Sequence, residues 1–346
     1  MRKYDGEEVI ILSWQENLDR WIKTNTFHHS RFSDIKRLVD LKEKKGLKIS
    51  LGFPTLNEEE TIEKEVKVMK DELQTNYPLI DEIAIIDSGS TDNTVKVARE
   101  AGAKVYLSSE CLPRHGYLKG KGENLWNSLY LLEGDIILWI DADIKNIHPK
   151  FAYGILGPLL EFDEIVYVKA FYERPIKMGT NKLRRTGGGR VTEILVRPLL
   201  SNFYPELSGF FQPLSGEYAG RREILEKIPF RVGYGVETGL LIDIYEQCGL
   251  FSLAQVDLDR RIHRNRSLDD LGRMSFAILH TFFTRLQEQE TISINRKIED
   301  YFNLVRARGE EIFLVREKFS LIERKPMIEI GEYREKRRLL KEFKVT

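Results

Sequence analysis

Cysteine is almost absent from this sequence. The two present, Cys111 and Cys248, are too few for a disulfide framework and stand at no metal-ligand spacing, so a reducing compartment is expected. Net charge is absent too: 54 Lys and Arg balance 54 Asp and Glu among 346 residues. No overall pull toward nucleic acid or an anionic membrane follows, and any anion site must be local. Long apolar runs are also missing. No stretch reaches membrane-spanning length, and the run 9–12, coming after Asp5, Glu7 and Glu8, is too short for a signal-peptide core. The expectation is a soluble, cytoplasmic protein with no nucleic-acid or membrane partner. Neither an internal repeat nor a low-complexity linker interrupts the chain.

What the sequence does have is a 42% hydrophobic content, ample for a sizeable core. Residues 1–46 carry apolar residues at helical spacing, among them Trp14, Leu18 and Trp21, and end in the charged run LKEKKGLK, which predicts a helical N-terminal extension. The pattern then changes. KISLGF reads as a buried strand, and Asn57 with Glu60 three residues on predicts a helix start close to a capping box, with Ile62, Val66, Met69 and Leu73 as the apolar face. A second strand, EIAIID, turns through SGSTDNT into a helix closed by Gly102, and KVYL follows as a third. A helix from about Glu123 to Leu132 leads into DIILWIDAD, a nearly continuous apolar strand of the kind found in a parallel sheet covered on both faces. The reading is an α/β fold with a Rossmann-like, mostly parallel sheet and helical N- and C-terminal extensions. The expected divisions are 1–46, a catalytic domain 47–285 with halves 47–145 and 146–285, and a helical C-terminal extension 286–346.

Right-handed crossovers put the carboxyl ends of such strands along one edge, where open α/β sheets bind ligands. Residues 54–59, 87–92 and 141–143 should therefore converge there. Asp141 and Asp143, two apart at a strand end, can turn both carboxylates outward as a clamp for Mg²⁺ or Mn²⁺, with positions left for phosphate oxygens. The alternative is an Asp capping the following turn. Asp87 and Ser88 lie beside a helix N-terminus suited to a nucleotide, although Asp, Ser and Gly are also ordinary turn residues. Asn57 and Glu59 stand at the exit of the first strand. Lys121, between two glycines in KGKGEN, is either a surface lysine or a positive group for a phosphate. TGGGRVT can present several N–H groups to an anion while Arg190 supplies a planar fork; it lacks the P-loop form, so an NTPase is excluded. His263, within RRIHRNRS, belongs either to a solvated basic face or beside Asp143 on a metal.

In order and spacing, PTLNEEE, DSGSTD, the lysine of GKG, DAD, GGGRVT, YGVETGLLID and IHRNR resemble the retaining glucosyl-3-phosphoglycerate synthases, a GT-A glycosyltransferase family that includes some mannosyl-3-phosphoglycerate synthases. The resemblance spans most of the chain. It implies a GT-A fold, with nucleotide sugar bound by the first half and acceptor by the second. It also implies Mg²⁺ or Mn²⁺, UDP-glucose as donor, D-3-phosphoglycerate as acceptor and a homodimer. Carried over, Pro54, Leu56, Asn57, Glu59, Ser88, Lys121 and Asp141 would bind the donor, with Asp143 and His263 on the metal. Gly189, Arg190, Val191, Thr192, Tyr234 and Asn265 would receive the acceptor, and Asp141, Lys121 and Glu237 would carry the chemistry. Thr55 and Glu58 depart from the family's usual Ala and Asp without removing Glu59.

The reaction so implied moves glucose to the acceptor's 2-hydroxyl, giving glucosyl-3-phosphoglycerate, a precursor in glucosylglycerate biosynthesis. The alternatives are GDP-mannose as donor, or an inverting family 2-like glycosyltransferase, whose usual transmembrane helices are not seen here. A sugar-1-phosphate nucleotidyltransferase would need a Gly-rich loop where PTLNEEE stands. A non-catalytic scaffold would have no use for Asp141, Asp143 and His263 together.

Overall fold

The computed structural model describes residues 3–4, 7–8, 13–174, 176–178, 182–184, 189–262 and 267–343. Its frame is an eight-stranded sheet. In chain order the strands are β1 (Thr26–His28), β2 (Ile49–Thr55), β3 (Glu82–Asp87), β4 (Lys104–Leu107), β5 (Ile136–Trp139), β6 (Tyr167–Glu173), β7 (Tyr218–Arg221) and β8 (Leu253–Arg260). Across the sheet they run β1-β8-β6-β7-β5-β2-β3-β4. All neighbours are parallel except β7, which runs antiparallel to both β5 and β6.

Helices cover both faces, which is why β2, β3 and β5 read as unbroken apolar runs. On one side α2 (Ile35–Lys44), α3 (Ile62–Lys70), α4 (Thr94–Ala101) and α6 (Lys150–Glu161) enclose Leu51, Phe53, Ile85 and Leu138. On the other, α5 (Lys121–Leu131), α7 (Val236–Cys248) and α8 (Leu268–Glu288) pack over Ile137, Trp139 and Tyr218, with α9 (Gly331–Phe343) adding Tyr333 to that layer. Each large apolar side chain fully buried in these layers contributes about 1.5–3 kcal/mol relative to exposure.

The structure departs from the sequence expectation in three places. The helix after β2 starts at Ile62, not Asn57. Asn57 instead takes a left-handed conformation (φ 59°), which Asn tolerates, and forms part of the turn. The N-terminal segment is not wholly helical: α1 (Trp14–Asn25) is followed at once by β1, which joins the main sheet beside β8. Trp21 pins that addition, its Nε1 donating to Leu253 O at 2.8 Å. Nor is the C-terminal segment wholly helical, because β9 (Tyr301–Arg308) and β10 (Glu311–Lys318) pair antiparallel as a hairpin before α9.

Candidate active site

Two lines of backbone contact bring the predicted loops together. Asn57 N–H donates to Ser90 Oγ at 2.9 Å, and its Oδ1 accepts from Thr91 N at 2.8 Å. Glu59 Oε2 accepts from both Asn93 N (2.8 Å) and Asn93 Nδ2 (2.9 Å). Asp87 closes its own turn, accepting from Gly89 N and Ser90 N at 2.8 Å each. These residues therefore lace the exit of β2 to the exit of β3. Of the donor-side residues, Pro54, Leu56, Ser88, Lys121 and Asp141 line the cleft beyond, while Asn57 and Glu59 lie outside its lining. The Ser88 carbonyl accepts from Tyr117 OH at 3.0 Å.

Lys121 is the first residue of α5, and the glycines beside it explain its position. A Cβ on Gly122 would fall 1.7 Å from Arg231 O, and one on Gly120 would fall 2.2 Å from Val232 O. Only glycine lets the start of α5 approach the backbone of residues 231–232 so closely. From there Lys121 Nζ reaches Asp141 Oδ1 at 2.5 Å and Glu237 Oε1 at 2.7 Å. Burial opposes its charge, but the two carboxylates outweigh burial and hold its pKa above the ordinary lysine value. Glu237 sits in the first turn of α7, where the helix dipole favours an anion.

Asp141 and Asp143 follow Ile140 just past the end of β5, as expected, and both line the cleft. Gly216 makes room for Asp141: a Cβ there would meet Asp141 Oδ2 at 1.9 Å. Behind them lies a buried charge network absent from the sequence reading. Arg261 Nη2 stands 2.6 Å from Asp143 Oδ1, 3.1 Å from Asp141 Oδ2 and 3.1 Å from Glu217 Oε1. Glu217 also accepts from Tyr172 OH, which in turn accepts from Arg174 Nη2 at 2.9 Å. Glu65 on α3 is fully buried; desolvation pushes its carboxyl well above the usual range, while the Ile144 N–H it accepts at 2.7 Å opposes that rise. Four carboxylates, Asp141, Asp143, Glu217 and Glu237, converge here, held by Lys121 and Arg261, with Arg174 one hydrogen bond further out. Clustered carboxylate oxygens at the mouth of a cleft fit a hard divalent cation.

Of the residues expected to receive the acceptor, Gly189, Arg190, Val191, Thr192 and Tyr234 line the same cleft, whose volume is about 670 Å³. Gly189 adopts φ 81°, the left-handed geometry that lets the chain turn from the loop into helical backbone at Arg190. His263 and Asn265 lie outside the described residues. The cleft also takes in Arg174, Arg261, Leu214 and Gly216, none of them singled out from sequence.

The cleft thus sits at the carboxyl edge of a mostly parallel sheet, with an acidic clamp, a fixed ammonium and a separate Gly-Arg loop. Comparison with known proteins agrees with that form. Residues 50–235 match the family model for glycosyl transferase family 2. The glucosyl-3-phosphoglycerate synthase of Petrotoga mobilis is 57% identical over 315 residues, 91% of this chain and 97% of that protein. The enzyme of the same name from Mycobacterium tuberculosis is 47% identical, over 70% of this chain and 74% of that one. Among solved structures, mannosyl-3-phosphoglycerate synthase from Rubrobacter xylanophilus superposes with a TM-score of 0.82 at 37% identity, covering 90% of this chain and 97% of that one. The M. tuberculosis glucosyl-3-phosphoglycerate synthase in complex with Mn²⁺, UDP and phosphoglyceric acid gives 0.74 at 41% identity, covering 85% and 94%. The fold is GT-A, and the site is that of a sugar-transferring enzyme. The chain belongs to glycosyl transferase family 2 and, within it, to the glucosyl-3-phosphoglycerate synthases.

Proposed function

We propose that the chain transfers glucose from UDP-glucose to the 2-hydroxyl of D-3-phosphoglycerate, with retention at the anomeric carbon. The observation that carries this reading is the Lys121 ammonium held between Asp141 and Glu237, in one cleft with the Arg190 loop. The M. tuberculosis relative, solved with UDP-glucose and phosphoglyceric acid together, supports the substrate pair.

Asp143 and His263 would hold the cation, with Asp141 beside it. When bound, the cation supplies Lewis-acid neutralisation of charge developing on the leaving diphosphate. Lys121 adds a second positive group whose position costs nothing at the moment of reaction, because two carboxylates already fix it. Arg190 and the backbone N–H groups of residues 189–192 grip the acceptor's phosphate and carboxylate, leaving its 2-hydroxyl to meet the anomeric carbon. Glu237 orients the sugar hydroxyls, Tyr234 and Asn265 complete the acceptor pocket, and Pro54, Leu56 and Ser88 seat the nucleotide. Asn57 and Glu59 act on the donor through the loop they lace. The enzyme works in the cytoplasm as a homodimer.

A second reading, mannosyl transfer from GDP-mannose, has the Rubrobacter structure in its favour. Both are tested by incubating the protein with Mg²⁺ or Mn²⁺, 3-phosphoglycerate and either donor, with one arm in EDTA. UDP release that requires acceptor and stops in EDTA, giving an α-linked product by NMR, is expected. Asp143→Asn should lower turnover by roughly 10²–10³, the range of a lost transition-state charge contact. Release from GDP-mannose alone would assign the second reading, and a β-linked product would overturn retention.

A further inference from the structure

Arg261 does more than balance charge. A single nitrogen, its Nη2, donates to Asp143 Oδ1 at 2.6 Å and to Asp141 Oδ2 at 3.1 Å and lies 3.1 Å from Glu217 Oε1, so three carboxylates gather on it. The residue is 3% exposed, and its guanidinium lies over the Tyr172 ring, 5.6 Å from the centroid. Its backbone N–H donates to Glu173 O at 3.1 Å, just past the register shift in β8 between Asp257 and Arg260 that turns the chain inward. Guanidinium cannot give up its charge within the physiological range, so this counter-ion is permanent.

The geometry points to Arg261 as a resident counter-cation of the metal site, which makes the free enzyme bind a divalent cation weakly and the cation–nucleoside diphosphate pair tightly. The reasoning follows from what each ligand breaks and makes. A divalent cation arriving alone competes with Arg261 for the Asp143 and Asp141 carboxylates, leaving a nearly buried guanidinium with Glu217 as its remaining carboxylate. When a diphosphate arrives with the cation, Arg261 gains a new anion in exchange. The cost of cation binding is thus offset only when the donor is present, which is a coupling free energy between two ligands. By reciprocity the nucleotide also binds better with metal, by the same factor. Arg261 acts through the two aspartates and is therefore a positioning residue. Its consequence for the reaction is that metal without donor does not hold the site.

This inference rests on the proposed reading of the cleft as a cation–nucleotide site. The test measures Mn²⁺ affinity by electron paramagnetic resonance of free Mn²⁺, with and without UDP, and needs no turnover. The comparison includes the wild type, Arg261→Lys, Arg261→Gln and the double variant Glu217→Gln/Arg261→Gln. The double variant removes one charge of each sign, so it keeps the local net charge and leaves no buried carboxylate unpaired. In the wild type, UDP should tighten Mn²⁺ binding strongly. In both variants lacking Arg261 charge, Mn²⁺ alone should bind about 10-fold tighter and the enhancement by UDP should shrink by about the same factor, within the usual range of such couplings. Arg261→Lys should stay close to the wild type. Unchanged or weaker Mn²⁺ binding in the double variant, with its melting temperature intact, overturns the role of Arg261. A wild type that binds neither Mn²⁺ nor UDP overturns the reading of the cleft, and this inference with it.

Discussion

Lys169 sits on β6 with no exposed surface, its ammonium donating to Ser215 O at 3.0 Å and lying 4.2 Å over the Tyr218 ring. Burial lowers its pKa to about 7, although Glu237, Glu217 and Asp141 nearby favour the charged form. The consequence is a pH dependence with a definite sign. Below about pH 7 both the folded and unfolded chains carry this proton, and the folded state bears the full cost of a buried charge. Between 7 and the ordinary lysine value of 10.5 the unfolded chain binds a proton that the folded chain has released, so this group's contribution to stability rises with pH. Lys169→Met removes that dependence. Its melting temperature relative to the wild type should be highest at and below pH 7 and should fall steadily toward pH 10. A difference that does not change with pH would show that Lys169 stays charged when buried.

Residue identity made much of the site legible but not what lies behind it. Asp141, Asp143, Lys121 and residues 189–192 stand out because aspartates at a strand end and glycines around a cation are unusual patterns, Glu237 came only with the family resemblance, and all line one cleft. Arg261 was hidden in RRIHRNR, where a run of charge reads as a solvated face. What buries it is the bulge at the end of β8, which depends on pairing with β6 and leaves no mark in the local sequence. Glu217, just before β7, and Lys169, within β6, are hidden for the same reason: a charged residue signals exposure unless its partners, distant in sequence, are known.

Elements are positioned by how closely their backbones can pass, and α5 is the sharpest case. A methyl group on Gly122 would lie 1.7 Å from Arg231 O and 2.8 Å from its carbonyl carbon, and backbone cannot turn aside as a side chain can. Gly122→Ala must push α5 away from the segment 231–232, breaking the contact from Glu123 N to Val232 O and withdrawing Lys121 from Asp141 and Glu237. Overpacking of this kind costs roughly 1–3 kcal/mol or more. The denaturation midpoint should fall accordingly, and turnover should fall with it. Gly331→Ala, where an added methyl meets nothing within 4 Å, should leave both unchanged. Equal behaviour of the two variants would sink the close-approach argument.

Elements were legible where burial is two-sided or a periodicity is strong. The βαβ series from β2 to β5 falls in the first group, and α1 in the second. β7 escaped because Tyr218–Arg221 is four residues long, contains Gly and Arg, and owes its existence to partners on both sides. The hairpin of β9 and β10 escaped for another reason. YFNLVRAR and EIFLVREK are strand-like around a two-residue turn with Gly309 at φ 62°, but their charge density resembled the flanking helices. The start of α3 was misplaced because Asn before Glu-rich sequence looks the same in a cap and in a left-handed turn.

For the whole molecule the open question is what stands against that hairpin. Its stem is fixed: Arg273 pairs with Glu317 at 2.5 Å, Arg306 pairs with Asp269, and Phe276 packs on Phe302 and Phe319 at ring distances of 5.5 and 5.2 Å. Its outer surface is different. Val305 is 68% exposed and Ile312 75%, with Leu314 on the same face also open. A two-stranded hairpin with its apolar side chains in water is marginally stable, and an exposed apolar patch marks a contact surface. The proposed homodimer would take this surface as its seam. Light scattering coupled to size exclusion should therefore give twice the mass of one chain for the wild type, and a single mass for Val305→Asp/Ile312→Asp. Lys318–Ile322 line the cleft whereas Val305 and Ile312 do not, so each variant protomer should keep its cation and nucleotide binding. A variant that remains dimeric would move the interface elsewhere on the molecule. A monomeric wild type would remove the dimer itself.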